Sequence, residues 1–189
     1  MSRLTEAIKH LIIINVIVFV APQLLQLDFT NILALHFPKN EHFGFWQYVT
    51  HMFVHGSFPH ILFNMYGLWA FGTPLEQMWG KKKFIIFYFS AGLGAAAIYT
   101  LVNYYQFNGI YELFLNAGLN DSEGLHILKS GSTNDARVIN AITQEQFNKI
   151  TSLYNTPAVG ASGAVYGVLV AFGLYFKDAK LALIFFPVP

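Results

Sequence analysis

The sequence predicts an all-α polytopic membrane protein: one helical bundle over residues 1–189, with four complete transmembrane helices and the start of a fifth. Three observations carry this. Of the 189 residues, 54% are hydrophobic and only 11% are charged, where soluble domains carry roughly a quarter, and the mean hydropathy is +0.44. Four stretches reach the roughly 20 apolar residues that a helix needs to cross the hydrocarbon. The basic residues fall where a consistent topology needs them.

The first span is expected over 7–27, "AIKHLIIINVIVFVAPQLLQL". Its apolar core from Leu11 to Ala21 is short and follows Arg3 and Lys9, as in a signal peptide, but no A-x-A cleavage site comes after it. An uncleaved span is the reading. The second covers 59–79, opening on Pro59, which suits a first helical turn; Pro74 is expected to kink its far end. The third, 84–104, is apolar throughout, and the fourth, 158–176, begins just after Pro157. A fifth apolar run, "LALIFFPVP" from 181, is read as the start of a further span in a chain that continues.

Between the spans, 28–58 is aromatic and histidine-rich and is expected to lie in the membrane interface. Residues 105–156 form a polar insert. In its second half Val138, Ile142, Phe147, Ile150 and Leu153 stand at loosely helical spacing, which predicts a surface helix over the membrane domain.

Lysines set the orientation. Lys81, Lys82 and Lys83 follow span two, Lys177 and Lys180 follow span four, and Arg3 and Lys9 precede span one. With four spans these positions share one side, which the positive-inside rule makes cytoplasmic. Both long connections are then external. Spans two and four both run inward, so His60 and Asn64 at the start of one and Ser162 near the start of the other lie at similar depth.

Composition also excludes. A net charge of +1 with no basic run among aromatics gives no footprint for nucleic acid. Without cysteine there are no disulfides, thiolate metal sites or cysteine nucleophiles. His51, His55 and His60 raise a metal site, but no H-E-x-x-H and no nearby carboxylate accompany them. Such a protein would carry stoichiometric metal.

"GASGAVYG" surrounds Ser162 with Gly160, Gly163, Ala164 and Gly167, and by itself reads first as a packing patch of small-xxx-small type. It is not a soluble nucleophile elbow, since position 164 is alanine and no strand precedes it. His60 and Asn64, at i and i+4, share a helix face. Polar groups there either tie helices together or face a functional cavity. Asn64 has the chemistry of an oxyanion donor, an uncharged amide aimed at developing charge. Tyr166 shares a face with Ser162, as core packing or as a wall of the same pocket.

Together, "WQYVTHMFVH", "HGSFPHILFNMYGLWAFGTPLEQMWG" and "GASGAVYG" resemble the rhomboid family of intramembrane serine proteases, over about 32–189 apart from the insert. The resemblance implies a rhomboid-like helical bundle. It implies Ser162 as nucleophile, His60 and Asn64 lining the oxyanion hole with the Ser162 amide, Gly163 as the glycine after the serine, and Tyr166 packed against the catalytic imidazole. The substrates would be transmembrane helices of other proteins, cleaved near the external face; no metal or organic cofactor is implied. The location read with it is a bacterial inner membrane, with the N-terminus cytoplasmic and the active site periplasmic.

Three features depart from the family's pattern. Its general base is a histidine on a later helix, and no histidine follows His126 here, so these 189 residues are expected to be inactive alone and the full-length parent to be the enzyme. Gln47 stands after Trp46 where many members carry arginine. The insert is longer than usual and is a candidate to shield or gate the site. A water-accessible cavity opening outward from spans two and four is expected. The competing reading is a non-catalytic relative that binds membrane clients without cutting them.

Overall fold

The computed structural model describes residues 4–177, which are helical in their ordered elements, joined by loops and one isolated β-bridge. Arg3, Lys180 and the fifth apolar run lie outside the described residues.

Helix α1, Glu6–Leu25, turns Ala7, Ile8, Leu11 and Asn15 inward. The Asn15 amide is fully buried and donates to the Leu11 carbonyl at 2.8 Å, so one local bond offsets part of the cost of hiding it. The opposite face leaves Ile13, Ile14, Val16, Ile17 and Leu24 exposed. Such a stripe is a liability in water and an ordinary surface in lipid.

After the short α2, Phe29–Leu33, an irregular connector runs to α3, Gln47–Thr50, and a 3₁₀ turn, His51–Phe53. Residues 58–79 then form one helical rod in three parts: α4 (Phe58–Gly67), a π-helical turn (Leu68–Gly72) and α5 (Thr73–Trp79). The expected irregularity near Pro74 is this π turn. Proline has no N–H to return to the preceding turn, and a widened turn accommodates the unmatched carbonyls.

Gly80, at φ 78°, ends the rod, and α6 begins at once as Lys81–Asn116, a helix of 36 residues. At 1.5 Å per residue it is about 54 Å long, well beyond a bilayer's hydrocarbon. Residues 105–116, expected in the insert, are therefore the continuation of the third span. The rest of the insert folds as α7 (Asp121–Ser130), α8 (Ala136–Ala141) and α9 (Gln144–Asn155). The single expected surface helix is two, because the chain extends at Ile142 and Thr143 restarts the helix with a capping box to Gln146. Helix α10, Ser162–Tyr175, is apolar but only 14 residues long. By length and hydropathy α1 and α6 qualify as membrane-crossing helices among the described residues.

Two cores result. One joins α1, α4, α5, α6 and α10 around Leu68, Leu75, Phe84, Tyr88, Ala164 and Val168. Its tightest seam is α6 against α10, where a methyl group on Gly163 would lie 2.6 Å from Ala95 Cβ, and one on Gly167 2.6 Å from Ala91 Cβ. The second core is a helical cap in which the end of α6 supplies Phe107, Ile110, Tyr111 and Phe114. Helices α7–α9 supply Leu128, Val138, Phe147, Ile150 and Tyr154.

At the end opposite the cap, the buried Glu76 carboxylate accepts from the Ala7 amide at 2.8 Å, the Ile8 amide at 3.0 Å and the Thr5 hydroxyl. It thus caps α1 from α5. Lys81 pairs with Glu6 beside it at 2.9 Å.

Candidate active site

Ser57 caps α4, its hydroxyl accepting from the His60 amide at 3.3 Å, and so sets the first turn on which His60 stands. Asn64 follows one turn later, buried, with Nδ2 donating to the His60 carbonyl at 3.0 Å. That bond uses one amide hydrogen and leaves the second, together with Oδ1.

Ser162 is the first residue of α10. The amides at a helix start have no intrahelical acceptor, and the helix ladder at this end begins with Val165 donating to Ala161 at 2.9 Å. The loop before it, 156–161, is held at two points. Leu35 and Ala158 exchange backbone hydrogen bonds at 2.9 and 2.8 Å, and the Gly160 amide donates to the His51 carbonyl at 2.9 Å.

Gly160 joins the two helices' chemistry. Its φ is +111°, a conformation that favours glycine, and a Cβ there would lie 2.6 Å from His60 Nε2. The His60 imidazole therefore rests on the backbone two residues before Ser162. Sequence had placed Ser162, His60 and Asn64 at a common depth, and the fold brings the His60 ring onto the serine's own loop. Gly163 faces Ala95 and makes the close α6–α10 contact. Tyr166 is 68% exposed, on an outer stripe with Val170 and Leu174.

Other residues had a different reading in the sequence. His55, there a metal candidate, packs edge-on against His60 with ring centroids 4.9 Å apart. Burial, then the neighbouring His60, lowers its pKa to about 4, against a raising contribution from the Phe53 carbonyl. His51 uses Nδ1 on the Gln47 carbonyl at 2.7 Å, and burial lowers its pKa as well. Among the described residues no group of three histidine, cysteine or acidic side chains is placed to hold a metal.

Gln47 is fully buried. Its Oε1 accepts from the His36 amide at 3.1 Å, and its Nε2 donates to the carbonyls of His42 at 2.7 Å and Ile32 at 3.3 Å. A neutral amide that both donates and accepts thus organises the connector. Its hydrogen-bonding capacity is legible in the residue type, but its partners are set by the fold.

A cavity of about 390 Å³ opens between the end of α1 and the start of α4, lined by Phe19, Gln23, Asp28, His55, Ser57 and Phe58 among others. It reaches the His55 side of the site, whereas the expected opening was between the second and fourth spans; neither Ser162 nor Asn64 lines it.

An apolar bundle with lipid-compatible outer faces and a polar cluster at the cap end of two helices defines an integral membrane protein with a candidate catalytic site. The Rhomboid domain model matches residues 42–116, so this part of the chain is similar to the rhomboid family. The members of that family are in general intramembrane serine proteases. The match includes His60 and Asn64 and ends before Ser162.

Proposed function

We propose that the protein is an intramembrane serine endopeptidase that cleaves transmembrane helices of other membrane proteins near the external face. The observation that carries this is the His60 imidazole lying on Gly160, at the threshold of a helix whose first residue is Ser162. In this reading Ser162 Oγ attacks the scissile carbonyl. The Ser162 amide, Asn64 and His60 stabilise the oxyanion; the intermediate then collapses with cleavage of the C–N bond, the proton that the base took from Ser162 Oγ passing to the departing amine, and water hydrolyses the acyl-enzyme that remains.

A serine hydroxyl needs a positioned base. Among the described residues, one ring nitrogen of each of His10, His36, His51 and His55 pairs with a backbone carbonyl. The base is proposed to be a histidine on a further helix seated on the exposed Tyr166–Val170–Leu174 stripe, completing a Ser–His dyad beyond these 189 residues. Tyr166 would then be the pocket wall beside that imidazole, and Gly163 would give α10 the close seat that fixes Ser162. The topology that goes with it has four complete spans, a cytoplasmic N-terminus and an external cap, in a bacterial inner membrane.

The test is labelling of the full-length protein, in membranes, with a serine-reactive phosphonate. Wild type should label and Ser162→Ala should not. Labelling that persists in Ser162→Ala removes Ser162 as nucleophile. Stable binding of transmembrane clients by a wild type that never labels would instead establish a non-catalytic client binder. The exposed Tyr166 and the packing contact of Gly163 leave room for that second reading.

A further inference from the structure

The cap takes no part in the proposed reaction, yet its contacts lead to the nucleophile's loop. Ala34, Leu35, His36 and Phe37 are four consecutive buried residues outside any helix. Leu35 pairs with Ala158, four residues before Ser162. Phe37 enters the cap's core, its ring centroid 4.4 Å from that of Phe107, 6.0 Å from Tyr104 and 6.5 Å from Tyr154.

Three polar ties follow within four residues. Lys39 lies 4.8 Å from the centre of the Tyr111 ring and 3.5 Å from Asp121. Asn40 Nδ2 donates to the Tyr154 carbonyl at 2.9 Å, and Glu41 pairs with Lys129 at 2.9 Å. From the other side, α9 ends at Asn155 and runs directly into the 156–161 loop. The loop is gripped twice by one body, covalently through α9 and laterally through the connector.

We propose that the cap positions the Ser162 loop through the connector, with Phe37 as the positioning residue. The catalytic consequence rests on the reading of Ser162 as nucleophile; the mechanical coupling does not. Thr156–Ala161 consists largely of small residues and proline, and the bonds holding Ala158 and Gly160 are made to the connector and to His51. When Phe37 is seated, Leu35 is held in register with Ala158, and the Gly160 backbone stays under the His60 ring. When Phe37 is removed, the loop opens locally while both helical cores remain folded.

Hydrogen exchange on the full-length protein tests the coupling without reference to activity. In Phe37→Ala the amides of Leu35, Ala158 and Gly160 should exchange about tenfold faster, with those of 84–104 unchanged. Phe37→Leu should restore most of the protection. Asn40→Ala, which leaves the aromatic core intact, should shift the same amides in the same direction and serves if Phe37→Ala fails to fold.

Phosphonate labelling of Ser162 should slow about in proportion to the opening. It should recover when a Leu35→Cys/Ala158→Cys disulfide re-closes the pair in the Phe37→Ala background. Faster exchange in the cap with wild-type exchange at 156–161 overturns the proposal. A wild type that never labels counts against the protease reading alone, and the exchange comparison still decides the positioning role.

Discussion

His55 shows how one buried side chain ties the site to solution conditions. Its pKa of about 4 lies below the ordinary histidine value of 6.5 because burial and the adjacent His60 disfavour the cation. As pH falls from 6.5 towards 4, the unfolded chain takes up a proton that the folded chain refuses. Stability contributed by neutral His55 is therefore complete above 6.5 and is lost across that interval. His36 and His51 shift in the same direction, chiefly through burial, so the wild-type slope is shared. Thermal unfolding in detergent across this range should show a shallower loss in His55→Phe; an unaltered slope would mean that His55 is not held neutral by the fold. His55 was visible in the sequence as an ionisable group near the helix start, but its partner was not. His51 opens a 3₁₀ turn, and the loop after that turn directs His55 towards His60.

At the scale of elements, the seam between α6 and α10 governs where Ser162 stands. Gly163 and Gly167 let the helices meet along Ala95 and Ala91, with Ala164 opposite Gly92. Replacing either glycine by valine drives a branched side chain into that contact and should destabilise the protein by about 1–3 kcal/mol. Differential scanning in detergent measures it, and an unchanged midpoint would mean the seam yields without cost. The small-residue spacing was readable because close helix approach requires small side chains on one face. The helix that receives them was not, since nothing local in "GASGAVYG" names Ala91 or Ala95. Likewise hydropathy located the apolar part of α6, but not its polar continuation to Asn116. That continuation is stabilised by packing against α7–α9, which a span-length criterion does not see.

The whole molecule is tied at both ends by contacts distant in sequence. At one end Glu76 receives the first amides of α1. Glu76→Ala should lower stability by about 2 kcal/mol through loss of a buried cap and should loosen residues 5–8 preferentially in hydrogen exchange. Uniform loosening throughout the bundle would show that Glu76 acts on the core as a whole. At the other end the cap packs against the connector through Phe37 and Asn40, and α9 runs into the loop before Ser162. The sequence by itself determined the helical, apolar, membrane-compatible character of the chain and the pairing of His60 with Asn64 on one helix face, because hydropathy and helical period are local properties. It also determined that Gly160 and Gly163 could permit close approach. Only the tertiary structure decided which helix each glycine meets, that His60 rests on the loop before Ser162, and that Phe37 belongs to the cap. Those depend on closing long chain segments against one another, where the lost conformational entropy is compensated by contacts that no short stretch of sequence contains.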